Sequence, residues 1–144
     1  MAKNTAHAEW KGTLKEGKGH LSLDSGAYEG DFTFKSRFED GEEKMTNPEE
    51  LIAAAHAGCF TMQLSNMLHG EDIDVESVET SAQVGIRNID GTPTIATSAL
   101  KCTVTASGAD EVKVRELAET AKEQCIISRA LAGVMVMTLE LTLA

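Results

Sequence analysis

Apolar and polar positions alternate over three short stretches near the start of the chain, Thr5–Lys11, Gly19–Leu23 and Asp31–Phe38, and this predicts three strands. The segments between them, 12–18 and 24–30, carry glycine and acidic turn residues, as local antiparallel hairpins require. A polar run, Glu39-Asp40-Gly41-Glu42-Glu43, then interrupts the pattern and reads as a solvated loop. Asn47-Pro48-Glu49-Glu50 marks a helix start: Asn47 suits the N-cap, Pro48 the first turn, and Glu50 lies three beyond the cap. The helix is expected to run to about Gly70, roughly 33 Å at 1.5 Å per residue. Its middle, Leu51 to Phe60, is apolar nearly all the way round and built of small residues. Such a helix is expected to be covered on every side, which in so small a chain points to an oligomer.

Two further strands, Val75–Ile86 and Thr94–Ala106, flank the turn signal Asn88-Ile89-Asp90-Gly91. A second helix, Asp110–Ala132, places Leu117, Ala121, Cys125 and Ser128 on one face. The last strand, Val134–Leu143, sets Val134, Val136, Thr138 and Glu140 against Met135, Met137, Leu139 and Leu141. The order βββαββαβ is that of an α+β fold.

At 144 residues the expectation is one domain, 1–144, large enough for a core without disulfide or metal staples. Thirteen Lys and Arg against 23 Asp and Glu give a formal charge of −10, which repels a phosphate backbone and an anionic lipid surface alike. Neither nucleic acid nor membrane is therefore expected as a partner. No run approaches the ~20 apolar residues that span a bilayer, and the opening ten residues lack the apolar core of a signal peptide, so a cytoplasmic location is expected.

The three cysteines, Cys59, Cys102 and Cys125, are an odd number without a CxxC pair. Cys102 shares a strand face with Ala96, Leu100, Val104 and Ala106, and reads as a core residue. Cys59 and Cys125 lie in helices, where position alone favours buried filler for each. His56 stands three residues before Cys59 on the same side of its helix, a pairing that could hold a metal or activate the thiol. Two ligands do not close a metal site, and a packing or hydrogen-bonding role for His56 is the stronger reading. By position alone, Arg37 reads as a surface strand residue and Glu49 as a first-turn carboxylate favoured by the helix dipole.

The segment from Asn47 through His56-Ala57-Gly58-Cys59-Phe60 resembles the active-site helix of the OsmC/Ohr family, the osmotically inducible and organic-hydroperoxide-resistance proteins. The likeness continues through Ala8-Glu9-Trp10-Lys11-Gly12, Gly17-Lys18-Gly19, Ser36-Arg37-Phe38-Glu39 and Ala121 to Ser128, and its N-terminal part is closer to the OsmC branch. The resemblance implies a thiol peroxidase without prosthetic group or metal, an intertwined homodimer whose antiparallel sheets wrap two central helices. It implies Cys59 as the peroxidatic thiol, Cys125 as the resolving thiol, Arg37 as the activating cation and Glu49 as its carboxylate partner, with the pair expected at a subunit boundary. One position departs: relatives commonly carry proline directly after the resolving cysteine, where this chain has Ile126.

The implied chemistry is sound. A free thiol of pKa about 8.5 is only about 3% ionised at pH 7, and a guanidinium that lowers it to about 5.5 makes it nearly all thiolate. The same cation can stabilise the departing oxygen. The implied cycle reduces organic hydroperoxides, and hydrogen peroxide more weakly, through a Cys59 sulfenic acid and a Cys59–Cys125 disulfide. An external thiol or dithiol, of lipoyl or small-thiol type, then clears the disulfide. Phe38, Met45, Phe60 and Met62 are the candidates for an apolar pocket. The competing reading is a non-catalytic OsmC-like protein that binds a small apolar ligand.

Overall fold

The structure is a computed structural model that describes residues 1–39 and 44–144; residues 40–43, most of the expected polar loop, lie outside the described residues. The chain divides into two compact units, Met1–Leu51 and Ile52–Ala144.

In the first unit, β1 (Ala6–Lys11), β2 (Lys18–Leu23) and β3 (Glu29–Phe32) form the expected antiparallel meander in the order β1-β2-β3. Trp10, Gly19 and Phe32 lie in one row across it. The two rings stand 5.4 Å apart, and a Cβ at Gly19 would collide with the Phe32 ring. The absent side chain is what lets the aromatics close over the strand.

The third predicted strand is only partly correct. Strand geometry stops at Phe32, and Phe34–Phe38 forms a short helix, α1. Thr33 explains the switch: its hydroxyl accepts from the Ser36 amide at 3.1 Å, while the Ser36 hydroxyl accepts from the Thr33 amide at 2.9 Å. This reciprocal cap satisfies two free amides and turns an alternating stretch into a helical one.

Helix α2 spans Pro48–Gly70, as the Asn47 signal predicts, and the Asn47 side chain accepts from the Glu50 amide at 2.8 Å. The unit boundary falls within its first turn. In the second unit Phe60, Leu64 and Leu68 are fully buried at i, i+4 and i+8. Each such burial contributes about 1.5–3 kcal/mol. They join Leu100, Val104, Val114, Ala118 and Leu141 in one core.

Strands β4 (Ser77–Ile89) and β5 (Thr92–Thr105) pair antiparallel through a two-residue turn, with φ of 51° at Asp90 and 83° at Gly91. Two left-handed residues match the twist of a tight hairpin. Ala96, Leu100, Cys102, Val104 and Ala106 are all buried, so the predicted inward face of β5 is correct.

The second helix differs from expectation. It ends at Gln124 as α3 (Glu111–Gln124), Cys125 adopts φ −53° and ψ 130°, and α4 (Ile126–Ala130) begins anew. The predicted face survives the break, with Leu117, Ala121, Cys125 and Ser128 all buried. Strand β6 (Val136–Leu143) then lies parallel to β5, giving the order β4-β5-β6 and correcting the expectation of purely antiparallel sheets. The cause is the helical crossover: α3 and α4 return the chain to the end of the sheet where β5 began. The architecture is α+β, with the order βββααββααβ. Among the described residues no helix is long and apolar enough to cross a membrane.

Candidate active site

Arg37 and Glu49 meet within the first unit. Arg37, carried by α1, donates from Nη2 to Glu49 Oε1 at 2.7 Å and from Nε to Oε2 at 3.1 Å. Glu49 is buried in the first turn of α2, whereas Arg37 keeps part of its surface exposed. This two-pronged pair fixes the plane of the guanidinium. The caps hold both ends: Asn47 Nδ2 donates to the Ser36 carbonyl at 2.9 Å, and Ser36 Oγ donates to the Thr46 carbonyl at 2.8 Å. Both members of the pair come from one chain.

Cys59 and Cys125 meet within the second unit. Cys59 is half-buried on α2, and Cys125 is fully buried at the break between α3 and α4. Their thiols are hydrogen-bonding neighbours, and the backbone N–H groups of Ile127 and Ile126 donate toward Cys59. The break makes this possible. A continuous helix would have engaged those two amides internally, whereas a restarted one leaves its first amides free. The Ile126 side chain is exposed, so this residue serves the site through its N–H, a group that proline lacks. Burial and the neighbouring Cys125 thiol push the Cys59 thiol above the ordinary value, and the two amides oppose them only in part.

Cys102 is buried and its thiol is also pushed up by burial, consistent with a core role. Among the pocket candidates, Phe60 belongs to the core, because it shares the inward face of α2 with Leu64 and Leu68. Met62 and Phe38 are exposed.

His56 is engaged by serines. Its Nδ1 lies 2.7 Å from Ser98 Oγ and its Nε2 lies 2.8 Å from Ser128 Oγ, which occupies both ring nitrogens. Burial holds its pKa below the ordinary value, so the ring is neutral. Sequence reasoning missed Ser98, although a hydroxyl between Ala96 and Leu100 on an inward strand face was a visible signal. Among the described residues, no group of three or more His, Cys, Asp or Glu is placed to hold a metal ion.

The chain is similar to known proteins over most of its length. Residues 41–140 match the family described as OsmC-like protein. The chain is 41% identical to the peroxiredoxin OsmC of Escherichia coli (strain K12) over 125 residues, 86% of each chain. It is 31% identical to the organic hydroperoxide resistance protein OhrB of Bacillus subtilis (strain 168) over 134 residues, 91% of this chain and 95% of that one. The crystal structure of OhrB of Bacillus subtilis superposes with a TM-score of 0.66 at 27% identity, covering 97% of this chain and 98% of that chain. With these matches, the chain belongs to the OsmC/Ohr family, closer to OsmC.

Proposed function

We propose that this chain, a cysteine-based peroxidase of the OsmC/Ohr family, reduces organic hydroperoxides with Cys59 as the attacking thiolate and Cys125 as the resolving thiol. The observation that carries this reading is the meeting of Cys59 and Cys125 beneath the free amides of Ile126 and Ile127. Cys59 attacks the O–O bond, releases an alcohol and becomes a sulfenic acid; Cys125 then displaces the hydroxyl as water and forms a disulfide. An external thiol or dithiol reopens the disulfide by exchange. The family names of the relatives support the peroxide class.

Arg37, aimed by Glu49, has the chemistry to activate a thiol and is read as the activating cation of this reaction. The two units are read as parts of one OsmC-like domain, since the family match crosses the boundary between them. A homodimer is supported by the apolar surface that α2 leaves open, where Ala54, Ala55, Gly58 and Met62 are exposed on a helix with little polar covering. Turnover of an organic hydroperoxide with excess dithiol tests the reading. Treated protein should lose two thiols and show a Cys59–Cys125 bridge by mass spectrometry; a Cys59–Cys102 bridge, or none, defeats it.

A further inference from the structure

His56 is fully buried and takes no part in the steps above. Its ring joins three elements of the second unit: α2 through its own backbone, β5 through Ser98, and α4 through Ser128. Ser98 is also fully buried and Ser128 nearly so. Apolar residues would fill this space without any need for partners, whereas three buried polar side chains persist only when each is satisfied. A rigid five-membered ring with a hydroxyl on each nitrogen fixes the separation of the groups it joins. Each serine can donate or accept, so the neutral ring is satisfied on both sides.

The placement relative to the thiols gives this bridge its meaning. His56 lies one helical turn before Cys59, and Ser128 lies one turn after Cys125, on the short helix whose first amides face Cys59. The bridge therefore ties the two thiol-bearing segments together one turn from each sulfur, with β5 as its fixed point.

We propose that His56, Ser98 and Ser128 are positioning residues for the resolving step, holding the start of α4 against α2 so that Cys125 reaches the Cys59 sulfenic acid. In that step the S–S bond forms as the S–O bond breaks, and the hydroxyl leaves as water with the Cys125 proton; no further oxidant or reductant enters. The proposal rests on the peroxidase reading above.

The experiment separates the two steps in a single turnover with an organic hydroperoxide, following sulfenic acid at Cys59 by chemical trapping and the disulfide by quenched mass spectrometry. Ser128→Ala should form sulfenic acid within about twofold of the wild-type rate but form the disulfide about tenfold more slowly, the effect of one lost buried hydrogen bond. When a second equivalent of hydroperoxide is added, it should oxidise the lingering sulfenic acid, so sulfinic acid at Cys59 should accumulate more than in the wild type. Ser128→Thr, which keeps the hydroxyl, should restore the disulfide rate, and Ser98→Ala, acting from the other end, should repeat the selective slowing. An unchanged disulfide rate in both alanine variants, or equal slowing of both steps without rescue by threonine, overturns the proposal. Absence of sulfenic acid in the wild type would instead overturn the peroxidase reading beneath it.

Discussion

Three thiols in one small chain occupy three different environments. Cys102 points into the core from β5 among Leu100, Val104 and Leu141, so its conservative replacement removes little besides a packed sulfur. Cys102→Ser should leave hydroperoxide turnover within about twofold of wild type at a cost of roughly 1–2 kcal/mol in stability, whereas Cys59→Ser should abolish turnover. Peroxidase assays alongside urea unfolding check both. Ile126 offers a finer test. Its N–H is one of two that favour the thiolate, and proline fits the first position of a helix without strain but lacks that donor. Ile126→Pro should keep α4 and move the Cys59 pKa further up, read from the pH dependence of alkylation. Arg37→Met should act in the same direction while leaving α4 untouched. An unmoved titration in the arginine variant would remove Arg37 as the activator.

At the scale of elements, the starts of helices do most of the positioning. The Asn47 side chain accepts from the Glu50 amide and donates to the Ser36 carbonyl, so one residue caps α2 and ties it to α1. Asn47→Ala should cost about 1 kcal/mol in unfolding free energy, measured in urea. It should also reduce kcat/KM beyond what stability explains, because Arg37 and Glu49 sit on the two helix ends it joins. The break at Cys125 is the second such device. A straight helix from α3 into α4 would engage the Ile126 and Ile127 amides within itself and withdraw them from Cys59.

At the scale of the whole molecule, the buried ring of His56 links stability to pH. Burial holds its folded pKa below the ordinary value near 6.5, so above that value both folded and unfolded chains carry it neutral. As pH falls through 6.5 the unfolded chain takes up a proton that the folded chain refuses, and stability drops by up to about 1.4 kcal/mol per pH unit until the folded pKa is reached. Urea unfolding at pH 7.5 and 5.5, at matched protein concentration, should show a smaller acid loss for His56→Gln than for wild type. An equal loss in both would assign the acid sensitivity to other groups. The proposed homodimer gives a further test. If Glu49 of one chain serves Cys59 of another, equal mixing of Cys59→Ser and Glu49→Ala chains under subunit exchange should restore roughly a quarter of wild-type turnover, from one intact site in each mixed dimer. No recovery despite demonstrated exchange would assign both residues to one chain.

Local chemistry alone set a large part of this protein. The Asn47-Pro48 start of α2, the Asp90-Gly91 turn and the inward face around Cys102 rest on capping, backbone φ and strand alternation, all of which act within a few residues. The Thr33–Ser36 cap is equally local, yet the alternation through Phe38 masks it in the sequence. The roles proposed for Cys59, Cys125, Arg37 and Glu49 rest on resemblance, since spacing alone favours filler and surface residues. Tertiary structure decided the rest. No glycine or proline marks the break at Cys125, and the amides it frees, those of Ile126 and Ile127, find a partner 67 and 68 residues away in sequence on another helix. The parallel placement of β6 depends on where α3 and α4 bring the chain back. The His56 bridge joins residues 42 and 72 positions apart, and only a folded core can choose those partners for a buried imidazole, because solvent satisfies all three groups until the core excludes it.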